Sequence, residues 1–68
     1  MLTLTINGKA ATVPDDARTL ADLVVTLGLS GKRIAIERNG EIVPKSLHAT
    51  TPLGPSDRIE IVGAVGGG

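Results

Sequence analysis

Two Asn-Gly dipeptides constrain the fold of this chain more than any other feature. Asn7-Gly8 and Asn39-Gly40 each stand between short segments in which apolar and polar residues alternate. Such a dipeptide favours the tight two-residue turn that joins antiparallel strands, because both of its positions adopt positive φ. The sequence therefore predicts two β-hairpins, one over residues 2–13 and the other over residues 33–44.

A two-residue turn also fixes which residues face each other across each hairpin. In the second hairpin Arg38 faces Glu41 as a pair of opposite charges, and Ile36 faces Val43 as an apolar pair. In the first hairpin the apolar side chains fall on one face of the sheet: Leu2, Leu4, Ile6, Ala11 and Val13. Each hairpin is thus expected to bury one face.

The segment between the hairpins has the spacing of an amphipathic helix. Thr19, followed three residues later by Asp22, resembles a capping box at the helix start. Gly28 then supplies a left-handed stop, with Leu29 behind it as the hydrophobic contact. The apolar residues of the helix recur at helical intervals: Leu20, Leu23, Val24 and Leu27.

After the second hairpin, residues 45–51 are expected to hold one helical turn before Pro52, with Leu53 as an inward anchor. Residues 58–62 alternate cleanly and predict a last strand. One helix with a single apolar stripe needs one sheet face, so the chain is predicted to form a two-layer α+β domain over residues 1–62, with about five strands. Residues 63–68 have almost no side chain to bury and are expected to be a flexible glycine-rich tail.

Composition excludes several classes of function. The chain has 68 residues with seven basic and seven acidic side chains, no cysteine and no aromatic residue. Zero net charge and the lack of stacking side chains argue against nucleic acid and membrane surfaces as partners. His48 is the single histidine, so no metal site, bound cofactor or set of catalytic residues is expected. A soluble, cytoplasmic protein that is not an enzyme is the expectation.

The C-terminal glycines are the candidate site. Gly66, Gly67 and Gly68 lack side chains, so they form a strand that is able to enter a narrow channel, and they leave the carboxylate of Gly68 unobstructed. A carboxylate is a poor electrophile and reacts only after another enzyme activates it, for example as an acyl-adenylate. Taken alone, the glycines fit a frayed end of the chain equally well.

The chain resembles the ThiS family, the sulfur carriers of thiamine biosynthesis, over essentially its whole length. Residues 33–46, RIAIERNGEIVPKS, are similar to the family stretch Asn-x-x-Ile-Val-Pro-(Arg/Lys)-Ser. Residues 57–68, DRIEIVGAVGGG, are similar to the family's Gly-Asp-x-Ile-Glu-Ile-Val ending in a glycine pair. Leu47-His48 stands where members often have Trp, and Ser56 where they have Gly. These departures concern local packing and turn chemistry, and neither touches the tail.

The resemblance implies a ubiquitin-like β-grasp fold with a mixed sheet, and a sulfur carrier with no catalysis of its own. An E1-like adenylating enzyme would use ATP to activate the carboxylate of Gly68, and a cysteine desulfurase route would supply sulfur to form a thiocarboxylate. Thiazole synthase would then accept the sulfur. Gly66 and Gly67 would keep the tail slim enough to enter the active sites of both partners.

The outward face of the sheet is the candidate partner surface, because it mixes apolar and charged residues as transient interfaces do. Its members are Ala35, Glu37, Ile42, Arg58, Glu60 and Val62. An ordinary solvated face explains each of these residues taken singly. Three other functions remain open: a carrier for molybdopterin synthesis, a ubiquitin-like modifier whose Gly68 joins a target lysine, and an interaction domain with an inert tail.

Overall fold

The computed structural model describes residues 1–63, and the tail predicted for residues 63–68 lies beyond them except for Gly63. The elements follow the predicted order, and the helical turn predicted within residues 45–51 is a 3-10 helix (Lys45–Leu47). Strand β5 extends one residue further than predicted, to Gly63. The bounds are β1 (Leu2–Ile6), β2 (Lys9–Val13), α1 (Leu20–Thr26), β3 (Ile34–Arg38), β4 (Glu41–Val43) and β5 (Arg58–Gly63).

The strands form one mixed five-stranded sheet in the order β2-β1-β5-β3-β4. The last strand of the sequence therefore lies at the centre of the sheet, between the two hairpins. It runs parallel to β1 and antiparallel to β3. This arrangement confirms the predicted α+β class with a mixed sheet packed on one helix.

Both hairpins have the predicted register. Leu2 pairs with Val13 in the first hairpin, and Ile36 pairs with Val43 in the second. The two asparagines of the turns adopt φ of 51° and 53°, and the glycines that follow them adopt φ of 81° and 89°. Positive φ at both central positions matches the right-handed twist of the strands, which is why Asn-Gly was informative.

Helix α1 begins and ends at the predicted signals. The backbone N–H of Asp22 donates to the Thr19 hydroxyl, and the Asp22 carboxylate accepts from the backbone N–H groups of Arg18 and Thr19. Those two backbone donors, of which Arg18 is the stronger influence, hold the pKa of Asp22 below its usual value of 3.8. At the other end Gly28 has a φ of 73°, which terminates the helix.

The hydrogen bonds at the end of α1 form a Schellman motif. The backbone N–H of Gly28 donates to the carbonyl of Val25, and that of Leu29 donates to the carbonyl of Val24. Leu29 and Val24 both pack against the edge of the core. The stop signal thereby also fixes the position of two apolar side chains at this end of the molecule.

The core lies between α1 and the inner face of the sheet. Its completely buried large side chains come from every layer: Leu4, Leu20, Leu23, Ile36 and Ile59. Leu53 packs against this core as the predicted inward anchor. Aliphatic side chains fill the whole of it, because the chain has no aromatic residue.

Candidate functional site

Strand β5 carries the candidate tail and is held from both sides. It pairs with β3 over five residue pairs, from Arg38 with Ile59 to Ile34 with Gly63. Its ladder with β1 is shorter, covering Thr5 with Arg58 and Ile6 with Ile59. Gly63, the residue from which the tail continues, pairs with Ile34 at the end of the longer ladder.

The side chain of Asn7 extends the short β1–β5 ladder. Its amide nitrogen donates to the carbonyl of Ile61 at 3.0 Å, and its amide oxygen accepts from the backbone N–H of Ile61 at 2.7 Å. The Asn7 backbone N–H also donates to the carbonyl of Ile59. An asparagine amide has the same donor and acceptor pair as a peptide group, so Asn7 acts as one more strand residue.

Asn39 binds the other end of β5 in a similar way. Its amide oxygen accepts from the backbone N–H of Arg58 at 2.9 Å, and its backbone N–H donates to the carbonyl of Arg58 at 2.8 Å. Its amide nitrogen donates to the carboxylate of Asp57 at 3.0 Å. Both turn asparagines thus connect a hairpin to the central strand, one near each end of it.

Asp57 is a buried carboxylate with three donors. It accepts hydrogen bonds from Arg38 Nε, from Asn39 and from the backbone N–H of Gly54. Burial raises the pKa of Asp57, but the hydrogen bonds from Asn39, Gly54 and Arg38 outweigh that effect, so its pKa lies below 3.8. The carboxylate is ionised at neutral pH and ties the turn before β5 to β3.

The structure brings the predicted partner residues together on one exposed face of the sheet. Ala35 lies opposite Val62, and Glu37 lies opposite both Glu60 and Ile42. Ile42 and Val62 retain 73% and 59% of their full exposure, although both are large aliphatic side chains. The same face carries all of the candidates: Ala35, Glu37, Ile42, Arg58, Glu60 and Val62.

The pair of carboxylates on this face is unfavourable for the isolated domain. Like charges directly opposite each other on neighbouring strands repel. Among the described residues, neither Glu37 nor Glu60 forms a salt bridge. Two carboxylates and two exposed aliphatic side chains therefore lie on one face of the sheet.

The remaining candidate residues are the glycines of the tail. Gly66, Gly67 and Gly68 lie beyond the described residues. Within residues 1–63, no three His, Cys, Asp or Glu side chains are grouped so that they could hold a metal ion. No helix in the same range has the length and apolarity needed to span a membrane.

Two polar residues have structural roles that the sequence did not reveal. His48 is 9% exposed, and its Nε2–H donates to the carbonyl of Val43 at 3.0 Å. This hydrogen bond ties the segment after the 3-10 helix to the end of β4. The second residue, Asp57, binds Arg38 and Asn39, which lie 19 and 18 positions away in the chain. No local pattern indicates a pairing at that distance.

Comparison with known proteins agrees with this architecture. The model of the ThiS family matches residues 4–68. The crystal structure of the thiamine biosynthesis protein ThiS from Geobacter metallireducens superposes with a TM-score of 0.84 at 28% identity, covering 98% of this chain and all of that one. The sulfur carrier protein ThiS of Bacillus subtilis is 40% identical over 65 residues, which are 96% of this chain and 98% of that protein.

A longer protein also contains a similar segment. The thiazole synthase of Paramagnetospirillum magneticum is 40% identical to this chain over 65 residues. Those residues are 96% of this chain, and the chain spans only 20% of the length of that relative.

The central strand, the two flanking hairpins and the single packed helix define a ubiquitin-like β-grasp domain. The comparisons identify which β-grasp family this is. The chain belongs to the ThiS family, and the resemblance inferred from residues 33–46 and 57–68 is thereby confirmed.

Proposed function

We propose that this protein is a sulfur carrier in thiamine biosynthesis and that it carries sulfur as a thiocarboxylate on Gly68. The observation that carries the proposal is the family match, which extends over residues 4–68 and so includes the final glycines. The relative that matches over nearly its full length is named a sulfur carrier protein. In this role the chain is a protein substrate of other enzymes and not itself a catalyst.

The chemistry begins with activation of a carboxylate. An E1-like enzyme binds ATP, the Gly68 carboxylate attacks the α-phosphorus, and pyrophosphate leaves. The outer sulfur of a persulfide formed by a cysteine desulfurase then attacks the acyl carbon, and AMP leaves. Two thiols, such as free cysteine, reduce the resulting acyl disulfide; they leave joined as a disulfide, and the enzyme regains its thiol. The product is a thiocarboxylate attached to the protein, which delivers sulfur at high effective concentration without releasing free sulfide.

Thiazole synthase is the proposed acceptor of the sulfur. Two proteins of that name contain segments similar to this chain, at 40% identity over 65 residues and 36% over 50 residues. A carrier-like segment within an enzyme of that name supports a direct functional relation between the two. It also favours the thiamine route over molybdopterin synthesis.

The β-grasp domain contributes recognition and a rigid origin for the tail. Gly63 is fixed in the ladder with Ile34, so a partner that docks on the outer face holds the tail in a defined direction. Ala35, Ile42, Arg58, Glu60 and Val62 form the proposed docking face. Their mixture of aliphatic and charged groups suits the successive, reversible complexes that a carrier must form.

The test is the intact mass of the protein after incubation with ATP, the adenylating enzyme, a cysteine desulfurase and cysteine. We expect a mass gain equal to the replacement of one oxygen by sulfur. A variant lacking Gly68 should show no gain. The matched control is Gly63→Ala, because a Cβ at Gly63 meets no atom within 4 Å and should leave loading intact.

Three outcomes would contradict the proposal in whole or in part. No mass gain with demonstrably active partner enzymes would remove the sulfur-carrier function. Adducts on the lysines of other proteins, without a thiocarboxylate, would instead identify a ubiquitin-like modifier. If the protein is loaded with sulfur but thiazole synthase forms no thiazole from it, the sulfur-carrier function would stand and the role in thiamine biosynthesis would be excluded.

A further inference from the structure

A cleft with basic walls lies at the end of the molecule where α1 stops and β3 begins. Its volume is about 550 Å³. The Schellman motif places Val24 and Leu29 along it, and Ile34 of β3 completes the apolar lining. The other residues that line it are Gly31, Lys32, Arg33, Lys45 and His48. We refer to this set of residues as the basic cleft.

The distribution of charge singles out the basic cleft. The whole chain has seven acidic and seven basic residues and no net charge. Lys32, Arg33 and Lys45 are three of those seven cations, and none of the acidic residues, all of which lie within residues 1–63, lines the cleft. Within that range Lys32 and Lys45 form no salt bridge. The cleft therefore concentrates positive charge in a neutral protein.

The basic cleft adjoins the origin of the tail. A second cleft shares Leu29, Lys32, Arg33 and Ile34 with it and continues to Val62 and Gly63. The two clefts are therefore neighbours that meet at these four residues. A partner segment bound in the basic cleft would lie close to the point where the tail leaves the domain.

We propose that the basic cleft binds an acidic segment of a partner protein. Carboxylates of that segment would face Lys32 and Lys45, while an aliphatic side chain would pack on Val24 and Ile34. A protein segment fits better than a nucleotide, because no aromatic residue is present to stack a base. A compact phosphate fits less well, because it would leave the apolar lining of Val24, Leu29 and Ile34 uncovered.

This surface is distinct from the outer face of the sheet. The carboxylates of Glu37 and Glu60 on the outer face would attract a cation of a partner, whereas the basic cleft would attract carboxylates. Opposite charge at the two surfaces would orient a partner that contacts both. The proposal concerns the domain alone and stands whether or not Gly68 carries sulfur.

The test is an NMR titration of the isotope-labelled full chain with the peptide acetyl-Glu-Leu-Glu-Asp-Leu-Glu-amide. We expect shifts confined to amides of the basic cleft, a Kd on the order of 1 mM or tighter, and weakening with added salt. The matched peptide with Gln and Asn in place of the acids should give no shifts. The Lys32→Glu and Lys45→Glu variants should each weaken binding at least about fivefold, and Lys9→Glu on β2 should not.

Each alternative result decides against the proposal. Shifts from the neutral peptide of equal size would show an apolar groove without charge recognition. Equal shifts from inorganic phosphate at the same concentration would show a general anion site. Shifts at other residues, or none at all in spectra of the folded protein, would show that the basic cleft does not bind acidic peptides. Both lysines are exposed, so we expect the two variants to fold. Dispersed amide signals in their spectra check this.

Discussion

At the scale of single residues, a few polar side chains fix the position of β5. Asn7 and Asn39 were informative in the sequence only as turn formers. In the structure each also uses its amide group to bind the backbone of the central strand. Asp57 adds a charged link between the turn before β5 and Arg38 of β3. These contacts connect hairpins that are far apart in the sequence.

Asp57 should make stability depend on pH in the acid range. Its folded pKa lies below the unfolded value, so its contribution is present above pH of about 4 and is lost as pH falls through the folded pKa. We expect Asp57→Asn to lose about 2 kcal/mol at neutral pH, since hydrogen bonds to a charged group are removed.

Urea unfolding followed by circular dichroism at several pH values measures this effect, because the chain has no tryptophan or tyrosine for fluorescence. The difference between the two proteins should shrink as pH falls through the folded pKa. Asp16→Asn, at an exposed turn position, is the control and should change little. A constant difference between the two proteins from neutral to acid pH would contradict this assignment.

Ser56 is a non-glycine residue in the left-handed region, with a φ of 65°. It occupies the position where family members have glycine, so the departure noted in the sequence has a backbone consequence. We expect Ser56→Gly to raise the free energy of unfolding by up to about 1 kcal/mol, because relief of the left-handed strain exceeds the added entropy of the unfolded chain. Urea unfolding checks the sign.

Ser30→Gly provides the comparison for that substitution. Ser30 is exposed and is not among the residues with positive φ. Glycine there adds freedom to the unfolded chain without relieving strain, so we expect a small loss of stability. Equal changes at the two sites would show that strain at Ser56 is not the cause.

At the scale of elements, the register of each hairpin depends on its turn. The position of the central strand depends in part on the hydrogen bonds between the Asn7 side chain and the Ile61 backbone. Residues with positive φ at both turn positions select the register, which brings the apolar residues to one face. The β1–β5 ladder itself covers only two residue pairs. The two side-chain hydrogen bonds of Asn7 to Ile61 therefore extend the contact between β1 and β5 beyond the ladder.

We expect Asn7→Gly to reduce stability by about 1–2 kcal/mol, because the turn is retained but both bonds to Ile61 are lost. Hydrogen exchange should speed up at the Ile61 amide more than at amides of the second hairpin. Asn7→Asp is the matched variant. Its carboxylate still accepts from the Ile61 N–H, so that amide should stay more protected than in Asn7→Gly. Equal exchange rates at the Ile61 amide in the unsubstituted protein, Asn7→Gly and Asn7→Asp would show that the Asn7 side chain does not protect this amide.

At the scale of the whole molecule, the domain has two candidate surfaces, and one of them adjoins the origin of the tail. The helix and the core occupy one side of the sheet, and the outer face remains exposed on the other. The basic cleft lies at the end near Gly63.

We expect Ile42→Ser and Val62→Ser to weaken recognition by the adenylating enzyme while changing stability by less than about 0.5 kcal/mol. Their KM in the loading reaction should rise about 3–10-fold with kcat unchanged, since binding and not chemistry is affected. Val25→Ser on α1 is the control, because Val25 is 67% exposed on the opposite layer. A similar rise in KM for all three variants would argue against the outer face.

The sequence by itself determined the elements, the two hairpin registers, the helix caps and the family. Each of these rests on residues that are close in the chain: Asn with Gly, Thr19 with Asp22, or the runs at 33–46 and 57–68. Local backbone preferences act over a few residues and are therefore visible in the sequence.

The tertiary structure alone decided which strand is central, how Asn7, Asn39 and Asp57 bind across it, and where the charges gather. The parallel pairing of β1 with β5 joins segments more than fifty residues apart, and no local spacing encodes it. The basic cleft likewise combines the end of α1, the start of β3 and the 3-10 helix. Such sites form only when the hydrophobic core brings distant segments together. Hydrophobic attraction is non-directional and acts between apolar groups at any separation in the sequence, so a local pattern does not show which segments will meet.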